Sequence, residues 1–113
     1  MSKSYDLIVI GAGPGGYVAA IRGAQLGKNV AVIEKNNAGG TCLNVGCIPS
    51  KTLLEHGEKA HNIRVANDWG ITTKDLKIDF TQFVPRKKKV VQTLTGGVKQ
   101  LLKKNKVTYI EGE

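Results

Sequence analysis

The stretch YDLIVIGAGPGGYVAAIRGAQLGKNVAVIEK, residues 5–35, constrains the fold more tightly than any other part of the chain. Tyr5 to Ile10 is a short apolar run of the kind that forms a strand buried on both faces, and it leads straight into glycines. From Pro14 to Leu26 the small and apolar residues Val18, Ala19, Ile21, Ala24 and Leu26 suit a helix packed closely on a sheet, with Gly27 as its C-terminal cap. A second buried strand, Asn29 to Glu34, follows at once. Strand, helix and strand at this minimal length form a βαβ unit with a right-handed crossover.

The turn itself, GAGPGG, places Gly11, Gly13 and Gly16 in the G-x-G-x-x-G spacing. Gly11 makes the tight turn off the strand, Gly13 lets the backbone approach a pyrophosphate, and Gly16 lets helix and strand pack closely. The free N–H groups and positive dipole end of the helix then receive the phosphates. A bare glycine turn can be purely structural. Here the context is right on both sides, and Glu34 stands at the end of the second strand, where an acidic residue accepts hydrogen bonds from a ribose. The loop does not distinguish NAD from FAD.

At 113 residues the chain supports one small core, and its 14 glycines cluster at 11–16, 39–46 and 96–97 instead of forming a low-complexity tract. No signal peptide and no membrane-spanning apolar stretch is evident, so a cytoplasmic protein is expected. The net charge of +8 is uneven. Residues 1–56 carry five Lys or Arg against three acids, and residues 57–113 carry twelve against six. The densest point, Arg86-Lys87-Lys88-Lys89, lacks interleaved aromatics or a DNA-binding motif, and a solvated helix face is expected there, not a nucleic-acid partner.

Both cysteines lie in GGTCLNVGCIPSK, residues 39–51. In a straight helix residues five apart have Cα atoms about 8.5 Å from one another, from a rise of ~1.5 Å and a radius of ~2.3 Å. A disulfide needs roughly 4.4–6.8 Å. Cys42 and Cys47 can therefore bridge only if LNVG between them is irregular, with a helix starting or kinking at IPSK. A helix N-terminus also stabilises a thiolate. Two buried inert thiols or a zinc site with His56 and His61 compete with this reading. The flanking glycines argue against simple core packing, and the histidine spacings are unlike those of zinc sites; both histidines are expected as exposed helix residues. A redox dithiol exchanges two electrons that a nearby flavin can accept as a pair, which makes FAD the expected dinucleotide and Lys51 a cation beside its ring.

Beyond the cysteines, Leu53, Leu54, Ala60, Ile63 and Ala66 continue at helical spacing to an NDWG turn at 67–70. Asp79 or Thr81 can cap a further helix with Val91, Leu94, Val98, Leu101 and Leu102 on its apolar face. Pro85 is expected to kink or restart it, and Gly96-Gly97 to weaken it by about 1 kcal/mol each. Gly23 likewise sits where a better helix former is expected. Lys106 to Ile110 reads as a third strand.

These residues closely resemble the N-terminal part of the flavin-dependent pyridine nucleotide-disulfide oxidoreductases. The resemblance extends over essentially the whole chain. It implies an α/β fold, a Rossmann-like parallel sheet forming the N-terminal part of an FAD-binding domain across residues 1–113. It further implies that Cys42 exchanges with substrate and that Cys47 lies against the flavin. Gly11, Gly13 and Gly16 would hold the pyrophosphate and Glu34 the ribose, with Lys35, Gly39, Gly40, Thr41, Cys42 and Lys51 completing the cofactor wall. CLNVGCIPSKTLL and VQTLTGGVKQLLKKNKV read most like members that oxidise the dihydrolipoyl group of a lipoyl domain within 2-oxo acid dehydrogenase complexes, passing electrons through FAD to NAD. Glutathione and mercuric reductases are similar here and remain an alternative, as does a stand-alone flavin-binding module. The family's NAD domain and its interface domain, which supplies a catalytic histidine across a homodimer, have no counterpart in these residues. The chain is thus expected to be a fragment with little activity of its own.

Overall fold

The structure is a computed structural model that describes residues 2–113. Three parallel strands, β1 (Leu7–Ile10), β2 (Val30–Glu34) and β3 (Thr108–Glu111), lie in the order β1-β2-β3. Register pairs Val9 with Val32 and Val32 with Tyr109, so Leu7, Val9, Val30, Val32 and Tyr109 share one face. That face receives α1 (Pro14–Gln25) and α4 (Phe83–Lys104), because both crossovers advance the sheet in the same direction and right-handed crossovers then fall on the same side.

The core lies between sheet and helices: Ala12, Ala20, Val30, Val32, Ala38, Leu43, Val98, Leu102 and Val107 form one buried cluster. Leu102, 1% exposed, is among the largest side chains in it. Its replacement by alanine should destabilise the chain by about 2–5 kcal/mol. Between β2 and α4 run the short α2 (Gly40–Asn44), the long α3 (Cys47–Arg64) and two single 3₁₀ turns, Ala66–Trp69 and Phe80–Gln82. Helices α3 and α4 pack against each other and draw the molecule out to 67 × 26 × 18 Å. Among the described residues no helix is long and apolar enough to cross a membrane.

Two expectations about helix breakers are corrected. Pro85 neither kinks nor restarts α4; it is the third residue of a continuous helix of 22 residues. First-turn N–H groups have no intrahelical acceptor, so the missing donor is not felt there. Gly23 has a packing role, since a Cβ at this position would stand 2.8 Å from Leu7 Cδ2 and 3.3 Å from Val30 Cγ2, and any larger residue requires the Leu7 side chain to shift. Asp79 does cap the segment entering α4, accepting from Thr81 N–H at 2.9 Å.

Candidate active site

Parallel strands bring the C-terminal ends of β1, β2 and β3 to one edge, and the glycine turn, the loop after β2 and residues 112–113 meet there. The turn after β1 is held by Gly11 N–H donating to Ile33 C=O at 2.7 Å. A Cβ on Gly16 would lie 1.8 Å from Gly11 C=O, so only glycine lets α1 start this close to the strand. Gly13 precedes α1, Pro14 opens it, and the first turn has neither a capping side chain nor an acidic residue. Its N–H groups are left for an anion.

Glu34 closes the turn from the other side. It is 8% exposed, and its carboxylate accepts from Ala12 N–H at 2.7 Å and from Asn36 N–H at 2.8 Å. Those two bonds, the Ala12 one foremost, hold its pKa below the ordinary glutamate value despite burial. Two further lone pairs remain for a ribose hydroxyl.

The loop that follows is pinned to the glycine turn. Gly39 N–H donates to Ala12 C=O at 2.7 Å, and Asn44 Nδ2 donates to Ala38 C=O and Gly40 C=O at 3.1 and 2.9 Å. Gly40, with φ +58°, approaches so closely that a Cβ there would stand 2.7 Å from Gly13 Cα. The result is a cleft of about 720 Å³ with Gly11, Gly13, Glu34, Lys35, Gly40 and Thr41 on its walls. Backbone donors, a buried carboxylate and close glycine contacts fit an extended pyrophosphate ligand with a ribose at one end.

Neither Cys42, expected on the cofactor wall, nor Cys47 lines this cleft; their chain neighbours Thr41, Asn44 and Val45 do. Cys42 belongs to α2, which begins at Gly40 against the glycine turn, and Cys47 opens α3. Gly46 N–H donates back to Thr41 C=O at 2.7 Å, so the chain turns over Val45-Gly46 and the segment between the cysteines is not one straight helix. Both are free thiols, Cys42 half-buried and Cys47 exposed. A hydrogen bond that the Cys42 S–H donates to the Cys47 sulfur pushes the Cys42 thiol pKa up, with burial adding to the effect and the Cys47 backbone N–H and Lys51 opposing it. The pair is therefore close enough to interact, and the structure shows it as a dithiol without an S–S bond.

Not every expected residue lies in the cleft. Gly16 and Gly39 act behind it, the first as packing and the second as a buried turn of φ +94°. Lys51 lines a different groove, of about 310 Å³ between α3 and α4, with Glu55, His56 and Arg86. His56 is half-buried instead of exposed: its Nδ1 lies 2.6 Å from Thr52 C=O and its ring stacks on Phe83 at 4.4 Å. His61 is exposed. Among the described residues no three His, Cys, Asp or Glu side chains are placed to hold a metal ion.

Sequence reasoning missed Asn44, which ties the loop, and Gly112 and Glu113 on the cleft wall. Parallel strands alone signal the latter two, since the residues after β3 must emerge beside those after β1 and β2.

Comparison with known proteins agrees with this geometry. The dihydrolipoyl dehydrogenase of Bacillus subtilis (strain 168) is 56% identical over 108 residues, covering 96% of this chain and 23% of that protein. That of Geobacillus stearothermophilus is 51% identical over 108 residues, with the same coverage of 96% and 23%. The solved structure described as the Cu(II) complex of the HOCl-induced flavoprotein disulfide reductase RclA from Escherichia coli superposes with a TM-score of 0.79 at 30% identity, covering 99% of this chain and 22% of that one. The chain thus spans about a quarter of the length of the curated relatives it matches. The family profile for pyridine nucleotide-disulphide oxidoreductases matches residues 5–113, and the chain belongs to that family.

Proposed function

We propose that this chain is the N-terminal part of the FAD-binding domain of a dihydrolipoyl dehydrogenase. The observation that carries the reading is the placing of both cysteines beside the dinucleotide-type turn: Cys42 in α2, which starts at Gly40 against Gly13, and Cys47 at the start of α3, which the Gly46 N–H bond to Thr41 C=O folds back onto α2. Gly11, Gly13 and the first turn of α1 would hold the pyrophosphate of FAD, and Glu34 the ribose. Lys35, Gly40 and Thr41 would complete the wall.

In the oxidised enzyme Cys42 and Cys47 form a disulfide. A dihydrolipoyl thiolate attacks the Cys42 sulfur, the S–S bond to Cys47 breaks, and a mixed disulfide forms with Cys47 as the departing thiolate. The second dihydrolipoyl thiol then displaces Cys42, leaving lipoyl disulfide and the dithiol seen here. Two electrons and two protons have moved to the protein. The first turn of α3, free of acidic side chains, favours the negative charge that Cys47 carries as it departs. FAD, held by Gly11, Gly13 and Glu34, would supply a two-electron acceptor beside the dithiol and a hydride donor toward NAD⁺. Half-burial of Cys42 keeps the exchanging sulfur accessible while Cys47 and Lys51 set its charge.

The whole enzyme is a cytoplasmic homodimer serving 2-oxo acid dehydrogenase complexes in this reading, and the percent identity to dihydrolipoyl dehydrogenases favours it over glutathione- or mercury-reducing relatives. The test is NADH formation from dihydrolipoamide and NAD⁺ by the full-length protein. Yellow protein that loses this activity in both Cys42→Ser and Cys47→Ser supports the reading; a flavoprotein that reduces glutathione disulfide with NADPH and ignores dihydrolipoamide refutes it.

A further inference from the structure

Two large apolar side chains stand on the cleft wall with most of their surface open: Ile10 is 87% and Val45 76% exposed, and the half-buried Ile33 lines the cleft with them. A surface valine or isoleucine on its own calls for no account. Apolar residues gathered in one ligand-sized cleft mark where an apolar part of the ligand lies. Of the three, Val45 has the place in the chain that bears on the chemistry, because it stands between the two cysteines and lines the cleft where they do not.

The backbone around Val45 is fixed. Its own N–H and that of Gly46 both donate to Thr41 C=O, at 3.0 and 2.7 Å. On the other flank the Asn44 side chain is tied to Ala38 C=O and Gly40 C=O. A β-branched side chain on such a backbone has little freedom at χ1, so its contact with a ligand costs little ordering.

The fold indicates which part of a dinucleotide reaches it. Strand order β1-β2-β3 puts Glu34, Gly112 and Glu113 on the β2–β3 side of the cleft and Gly11 and Gly13 on the β1 side. Helix α2 starts with Gly40 against Gly13 and ends one residue before Val45. A ligand held by its ribose at Glu34 and by its pyrophosphate at Gly13 therefore leads its second half toward α2. Resting on the reading of the cleft as an FAD site, we propose that Val45 is a positioning residue for the flavin half of the cofactor: its side chain packs on the ring system, shields it from water and holds it at the segment that carries Cys42 and Cys47.

The test uses the full-length flavoprotein with Val45→Ala and Val45→Ile. Because the side chain is exposed in the protein itself, the flavin-free form of each variant melts at the native temperature. Removing two methyl groups from a contact with FAD weakens binding about tenfold, read by fluorescence titration of the flavin-free protein, and Val45→Ile keeps the native affinity to within about threefold. Iodide, which quenches flavin fluorescence by collision, reaches the bound ring more readily in Val45→Ala than in the native protein.

Native affinity in Val45→Ala overturns the proposal. Weaker binding with unchanged iodide quenching also overturns it, since that places Val45 against the adenine half. So does a flavin-free Val45→Ala protein that melts lower, which marks a valine packed by protein instead of by flavin. A native full-length protein that takes up no FAD overturns the reading of the cleft, and this inference with it.

Discussion

Glu34 is the residue on which the cleft turns, because one carboxylate joins the glycine loop to the loop after β2 through Ala12 and Asn36. Glutamine at this position can accept only one of the two N–H bonds; its amide NH₂ would face the other donor. Glu34→Gln should therefore lower stability by about 1–3 kcal/mol at neutral pH. The pH dependence has a definite sign. The folded-state pKa lies below the ordinary 4.5, so the contribution is present above that value and is lost as pH falls through the folded pKa. Glu55 and Asp79 also titrate low, but native and variant share them. Thermal melts at stepped pH should show the native advantage over Glu34→Gln shrinking on the acid side. An advantage that is constant from neutral pH down to acid would count against the assignment.

Helix ends show what each element requires, and α1 and α4 end in the same way with different residues. After α1, Gly27 N–H donates to Ala24 C=O and Lys28 N–H to Gly23 C=O, with Gly27 at φ +81°. After α4, Lys106 N–H donates to Lys103 C=O and Val107 N–H to Leu102 C=O, with Lys106 at φ +58°. Both are Schellman caps, but the second forces a residue with a Cβ into the left-handed region. Lys106→Gly should raise stability by about 1 kcal/mol, read as a higher denaturant midpoint with unchanged slope; no gain would mean that the lysine side chain offsets the strain elsewhere. The same comparison shows what was legible beforehand. Gly27 announced its cap, and the G-x-G-x-x-G turn announced the βαβ unit, because in each case the residue type is dictated by local backbone geometry. Lys106 gave no sign, since its cap is imposed by the docking of Val107 beneath Leu102. Pro85 misled for a related reason: its effect depends on distance from the helix start, which periodicity locates only to within a turn. The Cys42–Cys47 break was readable from disulfide geometry, whereas the tie made by Asn44 and the place of Val45 on the cleft wall depend on tertiary contacts that spacing does not encode.

At the scale of the molecule, placing α1 and α4 on one face leaves much of the other face of the sheet to solvent, although Ala31 at its centre is buried. Register puts Ile8, Ile10, Ala31, Ile33 and Ile110 there, with Ile8 54%, Ile10 87% and Ile110 37% exposed. The α3–α4 arm adds length without covering it: the radius of gyration is 19.8 Å, against roughly 13 Å for a compact domain of this size. An uncovered apolar sheet face, bordered by two free strand edges, favours association over solubility. The 113-residue chain should accordingly bind a hydrophobic fluorescent dye while folded and show a light-scattering mass that rises with concentration. Because Ile8 and Ile10 are already exposed, replacing both by threonine removes little buried area and should shift stability by no more than about 0.5 kcal/mol. It should nevertheless cut dye binding and flatten the concentration dependence. Dye binding unchanged by Ile8→Thr with Ile10→Thr would locate the sticky surface elsewhere, for which the exposed Trp69, Ile71 and Phe80 at the far end of the arm are the next residues to replace.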